Sequence, residues 1–280
     1  MNKKAILIVL YDKEICESTT IESLSELALT ETKIVIHNNG PREISLPKEQ
    51  AQIFNIKGID FELINSIENK PLSVIYNEFI NANLDCELFS IFDDDSYVSS
   101  DFVTIISNDS FDIELPKIMS RVDSKVYYPK VDKCIFYEDG SIIGSDVFSI
   151  GSGLTISNNV VKKFIKHKMD LFDEHYALYG VDFSFFRRLK KLQNKGEDFK
   201  ISSNFTLLHS LSKAEVIQSK FRHDERLIDF ALTVRHYPSP RLYLSFFKRI
   251  AMDLLRFNIG DIALVTKTYL TASHPRCQNK

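Results

Sequence analysis

Residues 4–10 read KAILIVL, an apolar run with no alternation of polar and apolar positions. Such a run suits a strand covered on both faces, the kind found inside parallel sheets rather than on a half-solvated one. The next segments keep the same grammar. Thr19-Thr20-Ile21-Glu22 fits a capping box, with Thr19 as the cap, and Ile21, Leu24, Leu27 and Ala28 follow with helical period. Residues 33–37 (KIVIH) read as a second strand ending in the turn Asn38-Asn39-Gly40-Pro41, and Phe61–Ile64 as a third. Pro71 suits the first turn of a helix through Val74, Ile75, Phe79 and Ile80. Residues 87–92 (ELFSIF) form a fourth strand, running directly into Asp93-Asp94-Asp95. Strand–helix alternation of this kind predicts an α/β fold, a mostly parallel, Rossmann-like sheet flanked by helices with right-handed crossovers.

After residue 100 the pattern loosens. Residues 125–129, 134–137 and 154–156 read as strands, with Glu138-Asp139-Gly140-Ser141 as a hairpin turn. Residues 159–167 and 183–193 are helical in pattern. A second capping box, Ser212-Lys213-Ala214-Glu215, opens a helix toward His236, and residues 242–257 form a last one. In that last helix Tyr243, Phe246, Phe247, Ile250 and Leu254 share a side. The expected organisation is an α/β domain over 1–210, with a regular half at about 1–100 and a looser half at about 101–210, then a helical extension over 211–280.

Composition excludes several classes. The 280 residues carry a net charge of −3, which gives no sign of nucleic-acid binding. The total hides a split: residues 1–209 hold 23 basic and 32 acidic side chains, net −9, and residues 210–280 hold 12 and 6, net +6. The first apolar run is far too short for a membrane span, and Tyr11-Asp12-Lys13-Glu14 ends it too early for a signal peptide. The scattered Cys16, Cys86, Cys134 and Cys277 show no metal spacing and suit a reducing, cytoplasmic compartment.

The acidic triplet carries the chemistry. In open parallel sheets, ligands bind beyond the carboxyl ends of the strands. Three adjacent carboxylates there repel one another unless a cation offsets them. Oxygen donors suit Mg2+ or Mn2+ held together with substrate phosphates.

The order of these elements resembles inverting family 2 glycosyltransferases of the GT-A fold. The matching parts are a first strand ending in Tyr11-Asp12, the Asn38-Asn39-Gly40-Pro41 turn, a helix bearing Asn77, and a hydrophobic strand ending in Asp93-Asp94-Asp95. The triplet is similar to the family's Asp-X-Asp motif. Asn38 stands where the family has a base-recognising Asp. The resemblance implies that Tyr11, Asn38, Asn77, Asp93 and Asp94 surround the nucleotide and that Asp95 holds the metal. The stretch Tyr179-Gly180-Val181-Asp182 through Leu189 is similar to the family's Gly-Glu-Asp-X-Asp…Arg-Leu segment. It implies Asp182 as catalytic base and aligns Arg188 with the family's Arg, while Val181 and Ser184 depart from the pattern. Leu208-His209-Ser210 resembles the His-Ser pair of the rhamnosyltransferase-like branch and implies His209 as a metal or diphosphate ligand. Ile150-Gly151-Ser152-Gly153 falls where the family lines its sugar site.

The resemblance implies transfer of a sugar from a nucleotide-diphosphate donor to a glycan or lipid-linked glycan acceptor, of capsule or O-antigen type. A non-catalytic nucleotide- or carbohydrate-binding module is the alternative. A haloacid-dehalogenase-type phosphatase fits poorly, because its Asp-X-Asp follows the first strand and Tyr97 stands where it needs Thr or Val. Residues 241–256 mix aromatic and Leu residues with Arg241, Lys248, Arg249 and Arg256. Two uses are open for that stretch: packing onto the domain, or shallow contact with the inner face of an anionic membrane.

Overall fold

The computed structural model describes residues 3–108, 110–210 and 219–278. The first half alternates as the apolar runs require: β1 (Lys4–Leu10), α1 (Thr19–Glu26), β2 (Thr32–Asn38), α2 (Lys48–Ile56), β3 (Asp60–Asn65), α3 (Leu72–Ala82), β4 (Leu88–Asp93) and α4 (Asp101–Ile106). Short strands follow: β5 (Ile113–Glu114), β6 (Lys117–Ser120), β7 (Val126–Tyr128), β8 (Lys130–Val131), β9 (Cys134–Ile135), β10 (Gly140–Ser141), β11 (Val147–Phe148) and β12 (Thr155–Ser157). Then come α5 (Asn158–Lys166), α6 (Val181–Gln193), β13 (Ile201–Ser203), β14 (Thr206–His209), α7 (Lys220–His236), α8 (Pro240–Leu255) and α9 (Ile259–Thr271).

The main sheet has eight strands in the order β10-β13-β5-β12-β4-β1-β2-β3. β1, β2, β3 and β4 are parallel, whereas β12 runs antiparallel to both β4 and β5. The sheet is therefore mixed. Side chains alternate across it, so β1 feeds two cores. Ala5, Leu7 and Val9 pack with Ile75, Phe79, Phe164 and Phe185 of α3, α5 and α6. Ile6, Ile8 and Leu10 pack with Ile21, Leu24, Phe54 and Phe102 of α1, α2 and α4. This double burial explains why KAILIVL has no polar face.

Register sets where the chemistry goes. Val9 pairs with Asp93 and Leu10 with Asn38. The carboxyl ends of β1, β2 and β4 thus finish on one edge. A three-stranded sheet, β14-β6-β7, brings a fourth chain end to that edge: β14 runs parallel to β6 and ends at His209.

Several local expectations change. The cap of α1 is Ser18, whose Oγ accepts from the Ile21 N–H, and Thr19 is already helical. Residues 140–141, expected in a hairpin turn, form β10 against β13. Residues 212–215 lie outside the described residues. The helix expected at 242–257 is α8, beginning at Pro240, and α9 follows it. Phe246 and Ile250 of α8 turn inward onto Leu227, Ala231 and Val265, but Phe247 and Leu254 point to solvent.

The reversal before β12 needs Gly153. Its φ is +81°, and a Cβ there would lie 2.5 Å from Pro116 Cγ. Gly196 has a similar φ of +93° but open space around it. Gly196→Ala is expected to cost about 1 kcal/mol, the left-handed backbone alone. Gly153→Ala adds overpacking and is expected to cost roughly 2–4 kcal/mol by urea denaturation; equal losses would show that the crowding is relieved.

Candidate functional site

Asp93 is the last residue of β4, and the turn after it is stitched to the start of α1. Thr20 Oγ1 donates to the Asp93 carbonyl at 2.5 Å and accepts from the Ser96 N–H at 2.9 Å. Ser18 Oγ donates to the Asp94 carbonyl at 2.9 Å. The clamp sends the three carboxylates different ways. Asp94 meets Lys13 Nζ at 2.6 Å. Asp93 and Asp95 instead face His209, whose Nδ1 is 3.0 Å from Asp95 Oδ1 and whose Nε2 is 3.7 Å from Asp93 Oδ2. Ser96 Oγ lies 3.0 Å from the same Nδ1 and 2.7 Å from Ser152 Oγ, which accepts from the Asp93 N–H.

One ligand atom from each of Asp93, Asp95 and His209 lies within 4.8 Å of the others. Asp95 Oδ1 is buried and has no aligned hydrogen-bond donor among the described residues. Two carboxylates and an imidazole whose ligand atoms converge in this way fit a divalent cation of the Mg2+ or Mn2+ type.

Asp182 enters from the other half of the chain, in the first turn of α6. The Gly151 N–H donates to its carboxylate, and a Cβ on Gly151 would stand 2.5 Å from Asp182 Oδ1. Glycine is therefore the residue that lets this backbone approach. Burial, reinforced by the charge of Asp93, pushes Asp182 up to about 7. Burial likewise pushes Asp93 up to about 6 against the pull of His209. Asp94 is raised by burial despite Lys13. For Asp95, burial is outweighed by His209, and the carboxyl stays below its ordinary value. His209 is raised in turn: burial opposes its charge, and Asp95 and Asp93 prevail.

These groups line one open cavity of about 730 Å³. Of the residues expected at the site, Tyr11, Asp93, Asp94, Asp95, Asp182 and His209 line it. Two are directed elsewhere. Asn38 donates to the Arg42 carbonyl and Asn65 Oδ1, both at 2.7 Å, and accepts from the Gly40 N–H, so its side chain braces the turn. Asn77 donates to the Phe172 carbonyl at 2.9 Å and accepts from the Phe172 N–H at 3.1 Å, tying α3 to the chain before α6. The residue after Asn38 takes its place: Asn39 lines the cavity, and its buried Oδ1 has no partner among the described residues. Arg188 pairs with Asp173 at 3.1 Å and does not line the cavity. Ser184 Oγ donates to the Val181 carbonyl and accepts from the Asp173 N–H, a structural use for the position.

Asn69, Arg222 and Arg276 also line the cavity, and none of them carried a sequence signal. Arg276 Nη1 donates to Asn69 Oδ1 at 2.8 Å, so the segment after α9 forms part of the wall.

No protein-family model matches the sequence, and no curated protein does. Solved structures match the fold. TarS of S. aureus superposes with a TM-score of 0.52 at 12% identity, over 84% of this chain and 44% of that one. TarS residues 1–349 with UDP gives 0.50 at 13%, over 85% and 73%. GalNAc-T7 with UDP, GalNAc and Mn2+ gives 0.56 at 11%, over 96% and 55%. The chain thus spans less than half of that TarS chain and about half of the GalNAc-T7 chain. These neighbours are glycosyltransferases of the GT-A fold, and the chain shares that fold.

The raised carboxyls have a consequence for stability. Asp182 is held above its unfolded value, so it opposes folding as it ionises between the two. In metal-free buffer the wild type is expected to lose melting temperature relative to Asp182→Asn as pH rises from 4 through about 7. A difference independent of pH would show that Asp182 is not held protonated by the fold.

Proposed function

We propose that the protein is a divalent-metal-dependent, inverting glycosyltransferase that moves a sugar from a nucleoside-diphosphate donor to a hydroxyl of a surface-glycan acceptor. The observation that carries this reading is one cavity lined both by an Asp93–Asp95–His209 cluster suited to a cation and by a separate carboxyl, Asp182, which burial pushes up to about 7. Direct displacement at an anomeric carbon needs those two things and no covalent enzyme nucleophile. The attacking hydroxyl must lose a proton, and Asp182 is the base that takes it; a base near pH 7 is suited to that task. Asp95 and His209, with Asp93, hold Mn2+ or Mg2+, which when bound offsets the charge of the departing diphosphate. Arg222 and Arg276 add positive side chains to the same cavity for the anionic donor.

The reading divides the chain by task. Residues 1–100 supply Tyr11, Asn39 and Asp93–Asp95 to the nucleotide. Residues 101–210 supply Tyr128, Ile150 and Asp182 toward the transferred sugar and acceptor. The extension 211–280 closes the wall through Arg222 and Arg276. Within the family resembled, a rhamnosyltransferase-like enzyme acting at the cytoplasmic face, on a lipid-linked acceptor of capsule or O-antigen type, is the nearest fit. TarS in complex with UDP and GalNAc-T7 with UDP and Mn2+ share the fold and support a nucleotide-sugar donor here.

Calorimetry with UDP, GDP and dTDP, with and without Mn2+, tests the reading. One nucleotide is expected to bind at least tenfold tighter with metal, and Asp95→Asn is expected to remove that gain. No metal-dependent binding of any of the three would overturn it. Asp182→Asn is expected to lower transfer at least 100-fold with donor affinity within about threefold of wild type; a lost affinity would mean that Asp182 holds the donor instead. Activity is expected to rise with pH along an acid limb at or below about 7, because a cation beside Asp93 offsets part of what raises Asp182.

A further inference from the structure

Helix α8 carries apolar residues on two sides: Phe246 and Ile250 face the core, and a second set faces solvent. Its inward face carries charge: Asp253 is 2% exposed and pairs with Arg249, which also meets Asp261 at 2.9 Å. Its outward face is apolar. Leu244, Phe247, Leu254 and Leu255 are 72%, 65%, 55% and 75% exposed, and Ala251 lies among them. At 3.6 residues per turn these five positions fall in one stripe about 100° wide, opposite Asp253. Phe257 and Ile259, just past the helix end, are 86% and 61% exposed and extend the apolar run. Surface helices of soluble domains turn such a stripe toward the core, and contiguous exposed apolar surface marks an interaction site.

One flank of the stripe is basic. Lys248, Arg241 and Arg256 follow it around the helix, all exposed, and none pairs with an acid among the described residues. The helix spans 16 residues, and no helix among the described residues is long and apolar enough to cross a membrane. Apolar anchors bordered by cations, on a helix too short to span, match a helix lying in the plane of a lipid headgroup layer.

We propose that the outward face of α8, with Phe257 and Ile259, seats on an anionic phospholipid surface. Charge decides between occupants. A second copy meeting this face by two-fold symmetry brings the same three cations to its rim, whereas anionic headgroups complement them. The contact also reaches the cavity through the chain itself. Phe246 of α8 packs on Phe230 of α7 and Tyr269 of α9, and the segment after α9 carries Arg276 into the cavity wall. The surface rests on no part of the sugar-transfer reading, and vesicle binding reads it separately from nucleotide binding.

The test is sedimentation of the full chain with vesicles of phosphatidylcholine alone or with about 30% phosphatidylglycerol as the anionic lipid. Binding is expected to be at least tenfold stronger to the anionic vesicles and to weaken with salt. The triple variant Leu244→Ser, Phe247→Ser, Leu255→Ser is expected to lose at least tenfold, with an unchanged circular dichroism spectrum because all three side chains are exposed. Arg241→Gln, Lys248→Gln, Arg256→Gln is expected to remove the preference for anionic lipid while the apolar face stays intact. Absence of wild-type binding, equal binding by the variants, or dimerisation that the serine variant abolishes would each overturn the proposal.

Discussion

Four carboxylates sharing a cavity with one imidazole is the constraint around which the rest is arranged. Left alone, Asp93, Asp95 and Asp182 repel one another, and burial adds to the penalty for charging them. The fold tolerates this because separate parts of the chain fix them. β4 and the Thr20–Ser18 clamp hold Asp93 and Asp95, the first turn of α6 holds Asp182, and β14 delivers His209 between them. Lys13 removes Asp94 from the conflict. What remains is an arrangement whose electrostatics favour a cation, and then an anion attracted by that cation. The acidic excess of the first 209 residues is thus compatible with an anionic ligand.

The part of this that sequence discloses is the part with local causes. β1 and β4 are covered on both faces, so their apolar runs stand out, and the acids that end β4 are placed by the strand that precedes them. Pairs of like residues are harder. Ser18 and Thr19 are both good caps; Ser18 takes the role because its hydroxyl also reaches the Asp94 carbonyl, a contact 76 positions away. Asn38 ends β2 and Asn39 follows it, and in extended chain successive side chains point to opposite faces. One step of register decides which amide braces the turn and which lines the cavity. Asn77 binds backbone 95 positions distant, and nothing in its own helix announces that. Arg276 is further still from the acids whose cavity it lines.

α8 shows a different limit. Its sequence offers apolar residues to two sides, Phe246 and Ile250 on one and Leu244 and Leu255 on the other, and periodicity cannot say which side is inner. Tertiary context settles it through an ion pair. Arg249, Asp253 and Asp261 satisfy one another between α8 and α9, and that polar seam fixes the rotation of the helix. Burying an ion pair is seldom the most stabilising choice, but it does specify orientation.

The cavity wall has a lineage consequence. The groups suited to holding a cation and taking a proton all come from residues before 210, on the sheet and its immediate loops. Arg222 and Arg276, by contrast, come from the helical layer that follows. The two contributions meet through side chains such as the Arg276–Asn69 contact and not through a shared strand. Substitutions in the outer layer can therefore reshape one wall while leaving the acids and the imidazole in register. Chains with the same sheet could diversify what they accept by drift in their last sixty residues, and sequence similarity would fade there first.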